Sequence, residues 1–148
     1  MSDQSFFPLG RRGARADDTA PDGSEIRLLV GGTEGATKAG LAEVFLGPGQ
    51  VSRPVWHKTV EEIWYVLEGA GQVWRCPPGV EPGNVSPVAV QAGDALTIPT
   101  RWHFQFASRK DAPLKFLCYT APPWPGASEA QSAPVGGLGL PVLLGMKP

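Results

Sequence analysis

The sequence predicts an all-β fold, a barrel or sandwich built from short strands. Three observations carry that prediction. Glycine (19) and proline (16) are frequent among the 148 residues, and both interrupt helices and populate turns. Short runs of β-branched and aromatic residues recur between those turns. No extended window places apolar side chains at i, i+3, i+4 and i+7 without an intervening Gly or Pro.

Taken in order, residues 1–24 mix Gly, Arg, Asp, Ser and Pro without hydrophobic period. Such a stretch buries too little apolar surface to offset the entropy of ordering, so it reads as a flexible leader. Strands are expected at 25–30, 41–46, 62–67, 72–76, 85–90, 95–98, 104–107 and 114–120, within one barrel domain over 25–122. Residues 77–84, rich in Pro and Gly, form an exposed connection. A Gly/Pro-rich C-terminal tail covers 123–148, and its apolar Val142, Leu143 and Leu144 suit packing on the chain's own barrel or on a partner.

The formal net charge of −1 gives no electrostatic footprint for nucleic acid. The short basic stretch Arg11, Arg12, Arg15 is its only candidate. No apolar run approaches the length that spans a bilayer, and no basic-then-apolar segment opens the chain, so no membrane association and a cytoplasmic location are expected. Cys76 and Cys118 lie inside apolar runs, where a free thiol serves as a small hydrophobe, and no disulfide is expected.

Only two histidines are present, His57 and His103. His57 precedes the acidic pair Glu61 and Glu62, which opens an apolar strand. His57 and Glu62 have opposite parity and cannot share one face of a regular strand; a bend between them, near Pro54 and Thr59, lets them converge. His103 follows a turn and a strand that stops at Pro99. Two imidazoles and a carboxylate form a three-ligand set suited to Fe(II) and related divalent ions, while a His beside Trp56, Trp102 or Phe104 is equally suited to plain packing. By strand parity Trp64 and Val66 share the Glu62 face, and Phe116 and Cys118 turn inward, which makes Trp64 and Phe116 candidates for pocket wall or barrel core. Gln105 shares a face with His103, so its amide either reaches the metal or substrate or is a hydrogen-bonded polar group in the barrel. Arg101 and Lys58 flank these residues and are candidates for an anionic group on a substrate.

These segments resemble the cupin superfamily, whose first motif reads G-x5-H-x-H-x3–4-E-x6-G and whose second reads G-x5-P-x-G-x2-H-x3-N. Gly49 precedes the first motif; His57 occupies its second His position, Glu62 follows after four residues, and Gly69 after six more. Gly93, Pro99 and His103 are similar to the second motif with one residue missing between the Pro and the His. The resemblance implies a double-stranded β-helix (jelly-roll) barrel and one divalent metal ion (Fe, Mn, Ni or Zn) held by His57, Glu62 and His103. It also implies a small-molecule ligand and a homodimer paired through its sheets. Val55 replaces the first motif His, Arg101 stands at the Gly of the second in a shortened loop, and Ala107 replaces its Asn. Glu61 competes with Glu62 for the ligand position, and only Glu62 places Gly69 correctly. Within such a family the expectation is a metal-dependent enzyme on a small molecule, a dioxygenase or an isomerase or epimerase; the alternative is a non-catalytic binding or sensing module.

Overall fold

The computed structural model describes residues 7–144. Its ten strands are β1 (Asp18–Thr19), β2 (Glu25–Val30), β3 (Gly40–Leu46), β4 (Val55–His57), β5 (Glu61–Cys76), β6 (Val88–Gln91), β7 (Ala95–Ile98), β8 (His103–Ser108), β9 (Leu114–Ala121) and β10 (Ala130–Ser132). Among the described residues the only helical pieces are two single 3-10 turns, at 32–34 and 82–84. The fold is the expected all-β jelly-roll barrel.

All pairings are antiparallel, in the order β1-β2-β3-β9-β5-β8-β4-β10, with β6 and β7 also on β5. The two runs expected at 62–67 and 72–76 form one long strand. Its first half pairs with β9 and β7, its second half with β8 and β6, so β5 passes from one sheet to the other and closes the barrel. The passage falls at a register shift between Val66 and Glu68, followed by Gly69 at φ 84°. A Cβ on Gly69 would meet the Pro113 carbonyl oxygen at 1.6 Å, so only glycine fits this corner.

Strand alternation then fills the barrel. Trp64 (2 % exposed) and Val66 from β5, Phe104 and Phe106 from β8, and Phe116 from β9 all turn inward and are buried. Trp64 stacks on Phe116 with ring centroids 4.0 Å apart, and Phe104 and Phe106 meet it edge-on at 5.8 and 5.2 Å. Both arrangements suit aromatic quadrupoles. The opposite face of the β5–β9 sheet leaves Ile63, Tyr65, Leu67 and Tyr119 each 40–48 % exposed.

The N-terminal segment departs from the expectation of a flexible leader. Residues 1–6 lie outside the described residues, but the chain from Arg12 onward is fastened to the barrel. Arg12 pairs with the buried Glu43 at 2.8 Å, Arg27 donates to the carbonyls of Gly13 and Ala14, and the Leu28 amide donates to the Asp17 carboxylate. Arg12 is thereby committed to an ion pair, which leaves the basic stretch without a free central charge. The C-terminal segment packs on its own barrel: β10 pairs with β4, the Ala133 amide donates to Pro54, and Val142 bridges Val51 in both directions. The interior tail contact is close. A Cβ on Gly137 would approach the Trp74 ring at 2.1 Å, which explains the Gly136-Gly137 pair.

Candidate functional site

β4 is three residues long, and its alternation buries Val55 and His57 while Trp56 turns outward. The connection Lys58–Val60 then bends the chain into β5, so that Glu62 also points inward. Glu129 holds this bend. Its carboxylate accepts the Thr59 amide at 2.7 Å, the Thr59 hydroxyl at 2.7 Å and the Val60 amide at 2.9 Å. Burial raises the Glu129 pKa, but these donors more than offset it and keep the group a carboxylate.

The bend brings His57 Nδ1 to 3.7 Å from Glu62 Oε2, both side chains being less than a tenth exposed. The indole N–H of Trp64 donates to Glu62 Oε1 at 2.8 Å. His57 Nδ1 is buried without a hydrogen-bond partner. Burial lowers the His57 pKa to about 4, against the opposing charge of Glu129. Burial raises that of Glu62 to about 7; hydrogen bonds from Trp64 and Cys118 pull it down, and the charges of Asp22 and Glu129 push it further up. Near neutrality His57 is therefore an uncharged imidazole beside a carboxyl group that exchanges its proton in that range, and the two are not an ion pair.

This pair sits in a cavity of about 530 Å³ inside the barrel. Trp64 and Phe116 form part of its lining, as do Val44, Val55 and Cys118. Both terminal segments also contribute to the lining, Asp22 and Trp124 among them. Asp22 lies on the N-terminal segment, its carboxylate accepting the Ser24 amide and hydroxyl; burial raises its pKa against those hydrogen bonds and the nearby Arg53. Trp124, between two prolines, meets the His57 ring edge-on at 5.0 Å. Its signal in the sequence is a large aromatic held in a Pro-Pro-Trp-Pro run.

His103 does not join His57 and Glu62. It lies on the outer face of β8, where its ring stacks over Trp56 at 6.1 Å. The inward position is the next residue, Phe104, whose ring meets His57 at 5.1 Å. The reason is spacing. Reading the second motif without the missing residue puts Arg101 on the motif Gly and Phe104 on the motif His. Arg101 indeed adopts φ 72°, the left-handed backbone that such a glycine supplies. A slip of one residue turns a strand's side chains to the other face, and His103 is on the wrong one. Arg101 also lies outside the cavity lining, with its guanidinium 5.9 Å from the Trp56 ring centre.

Gln105 shares that outer parity and is fully buried, not against the cavity but under the C-terminal segment. Its amide nitrogen donates to the Ser52 and Gly139 carbonyls at 3.0 and 2.8 Å, and its oxygen accepts the Leu138 amide at 2.7 Å. It fastens the tail and is not part of the lining of the His57–Glu62 cavity.

A metal ion therefore finds two convergent donors, His57 and Glu62, and hydrocarbon at Val55 and Phe104. Among the described residues no group of three His, Cys, Asp or Glu side chains is placed to hold an ion. The donor set does not fit the three-ligand site that the spacing suggested.

Comparison with known proteins agrees with this architecture. A family model described as the cupin domain matches residues 42–120. An uncharacterised protein of Methanocaldococcus jannaschii is 34 % identical over 104 residues, covering 70 % of this chain and 77 % of the relative. Among solved structures, the polyketide cyclase RemF from Streptomyces resistomycificus superposes with a TM-score of 0.63 at 21 % identity, over 86 % of this chain and 82 % of that one. Oxalate decarboxylase from Bacillus subtilis superposes with a TM-score of 0.68 at 16 % identity over 85 % of this chain. This chain spans about a third of that decarboxylase, 32 % of its length. With the motif residues, the barrel and the matched model in agreement, the chain belongs to the cupin family.

Proposed function

We propose that this cupin binds an apolar-bodied small molecule inside its barrel, anchoring one polar end of it at the His57–Glu62 pair. The buried, unpartnered His57 Nδ1 facing the cavity carries this reading. A buried polar atom without a partner is costly, and a concave, largely apolar site with a few convergent polar groups is the usual form of a small-molecule pocket. Because His57 and Glu62 offer polar contacts of their own, the proposed binding does not depend on a metal. Calorimetric titration with 1-naphthylmethanol should show saturable binding that EDTA leaves unchanged and that Ala42→Phe, which projects a ring into the cavity, weakens about tenfold or more. No saturable binding would overturn the proposal.

Catalysis by proton transfer is the second reading, and the position of the Glu62 pKa near 7 favours it. A carboxyl group that titrates near the working pH serves as acid and as base, which suits isomerase or cyclase chemistry. RemF, a polyketide cyclase, shows that the fold accommodates a reaction of the latter class. The oxygenase expectation needs a metal, and among the described residues no group of three His, Cys, Asp or Glu side chains is placed to hold one.

We further propose that two copies pair through the outer face bearing Ile63, Tyr65, Leu67 and Tyr119, since contiguous exposed apolar side chains mark association surfaces. Sedimentation velocity should report a dimer that Tyr65→Lys converts to monomer. A wild-type monomer at tens of micromolar would refute the pairing.

A further inference from the structure

Apart from His57 and Cys118, the ionisable residues that line the cavity are all carboxylic acids. Asp18, Asp22, Glu34 and Glu62 contribute to its wall along with His57, and among the described residues no lysine or arginine does. Behind the pair stands Glu129, whose carboxylate is fixed by Thr59 and Val60 and whose charge acts on both His57 and Glu62. Two arginines close to this region serve other groups. Arg53 acts on Asp22 without lining the cavity, and Arg101 lies over Trp56 on the outer face. The walls add the aromatic side chains of Trp64, Phe116 and Trp124, a residue type that attracts cations.

We propose that the cavity selects a cationic ligand, an organic ammonium group carried on an apolar or aromatic body, over neutral and anionic molecules of the same shape. The proposal rests on the reading of the cavity as a small-molecule site and adds its charge preference. An ammonium group donates hydrogen bonds to Glu62 and to the free Nδ1 of neutral His57. It also supplies the positive charge that several acidic groups, partly withdrawn from water, lack. A carboxylate ligand would meet Asp22 and feel the charge of Glu129 with no lysine or arginine in the lining to hold it, and its one favourable contact would be a proton shared with Glu62.

Three probes of one body separate these cases: 1-naphthylmethylammonium, 1-naphthylmethanol and 1-naphthoate, titrated calorimetrically into the full chain at pH 7.5 and low salt. The ammonium should bind about tenfold or more tighter than the alcohol, and the carboxylate about tenfold or more weaker. Asp22→Asn keeps an oxygen for Ser24 and removes an acidic group, so it should narrow the ratio of ammonium to alcohol affinity several-fold, as should raised salt if the preference is electrostatic. Carboxylate affinity equal to or above that of the ammonium would overturn the charge preference while leaving the small-molecule site intact. Failure of all three probes to bind would overturn the site and the preference together.

Discussion

Replacing Gln105 by Leu should cost the protein about 3 kcal/mol of stability while leaving binding in the barrel unchanged. The side chain is fully buried and makes three hydrogen bonds to backbone groups of Ser52, Leu138 and Gly139. Leucine keeps the approximate volume and pairs with none of them. Each buried group left unsatisfied costs about 1–3 kcal/mol, and the lower part of that range applies because Leu138 and Gly139, near the surface, regain water when the tail lifts. Chemical denaturation gives the stability difference. Limited proteolysis reads its location, since cleavage within 134–142 should accelerate much more than global unfolding accounts for. A change below about 0.5 kcal/mol with unaltered cleavage would show that the tail is held by other contacts, chiefly the Val51–Val142 bridge.

The role of Gln105 marks where the sequence was legible and where it was not. Parity was readable: Trp64 and Val66 fall on one face of β5, Phe116 and Cys118 face inward from β9, and alternation alone determines this once the strands are known. Strand limits followed from turn chemistry, and 25–30 and 95–98 match β2 and β7. The very short β1, β4 and β10 have no such signal, because two or three residues are held by their neighbours and not by propensity. The motif and its glycine at 69 pointed to His57 and Glu62, and the structure brings those two side chains together. His103 was not, because a single residue of loop length decides which face a strand presents, and Arg101 in a left-handed conformation masked the glycine that fixes the alignment. Gln105 inherited the error: its parity relative to His103 was right, but that face belongs to the tail. The tail itself looked unstructured because its contacts are long-range backbone hydrogen bonds and glycine clearances. Local composition carries no trace of these beyond Gly136-Gly137.

The pH dependence of stability should separate Glu62 from His57. Glu62 has its pKa raised from the ordinary 4.5 to about 7, so between those values the native state holds more protons than the unfolded chain, and this group's contribution is lost as pH rises through the window. His57 has its pKa lowered from 6.5 to about 4, so the native state holds fewer protons there, and its contribution is lost as pH falls. In the overlap, roughly pH 4.5–6.5, the two slopes oppose each other and the wild-type curve is flattened. Glu62→Gln removes only the first contribution. The stability of this variant relative to wild type should therefore rise by about 3 kcal/mol between pH 4.5 and 8, at close to 1.4 kcal/mol per pH unit. His57→Asn should give the opposite sign, with its relative stability falling as pH rises from 4 to 6.5, and the double variant should be nearly level across the overlap. Denaturant titrations at half-unit pH steps, with and without EDTA, measure these differences directly. A level Glu62→Gln difference from pH 4.5 to 8 in EDTA would mean that water or an uncounted donor solvates the carboxylate in the barrel, and it would remove the acid–base reading of the pair. A difference that is level without chelator and sloped with it would instead reveal a bound cation between Nδ1 and Oε2 that holds Glu62 ionised, restoring the metal expectation that the donor count rejects.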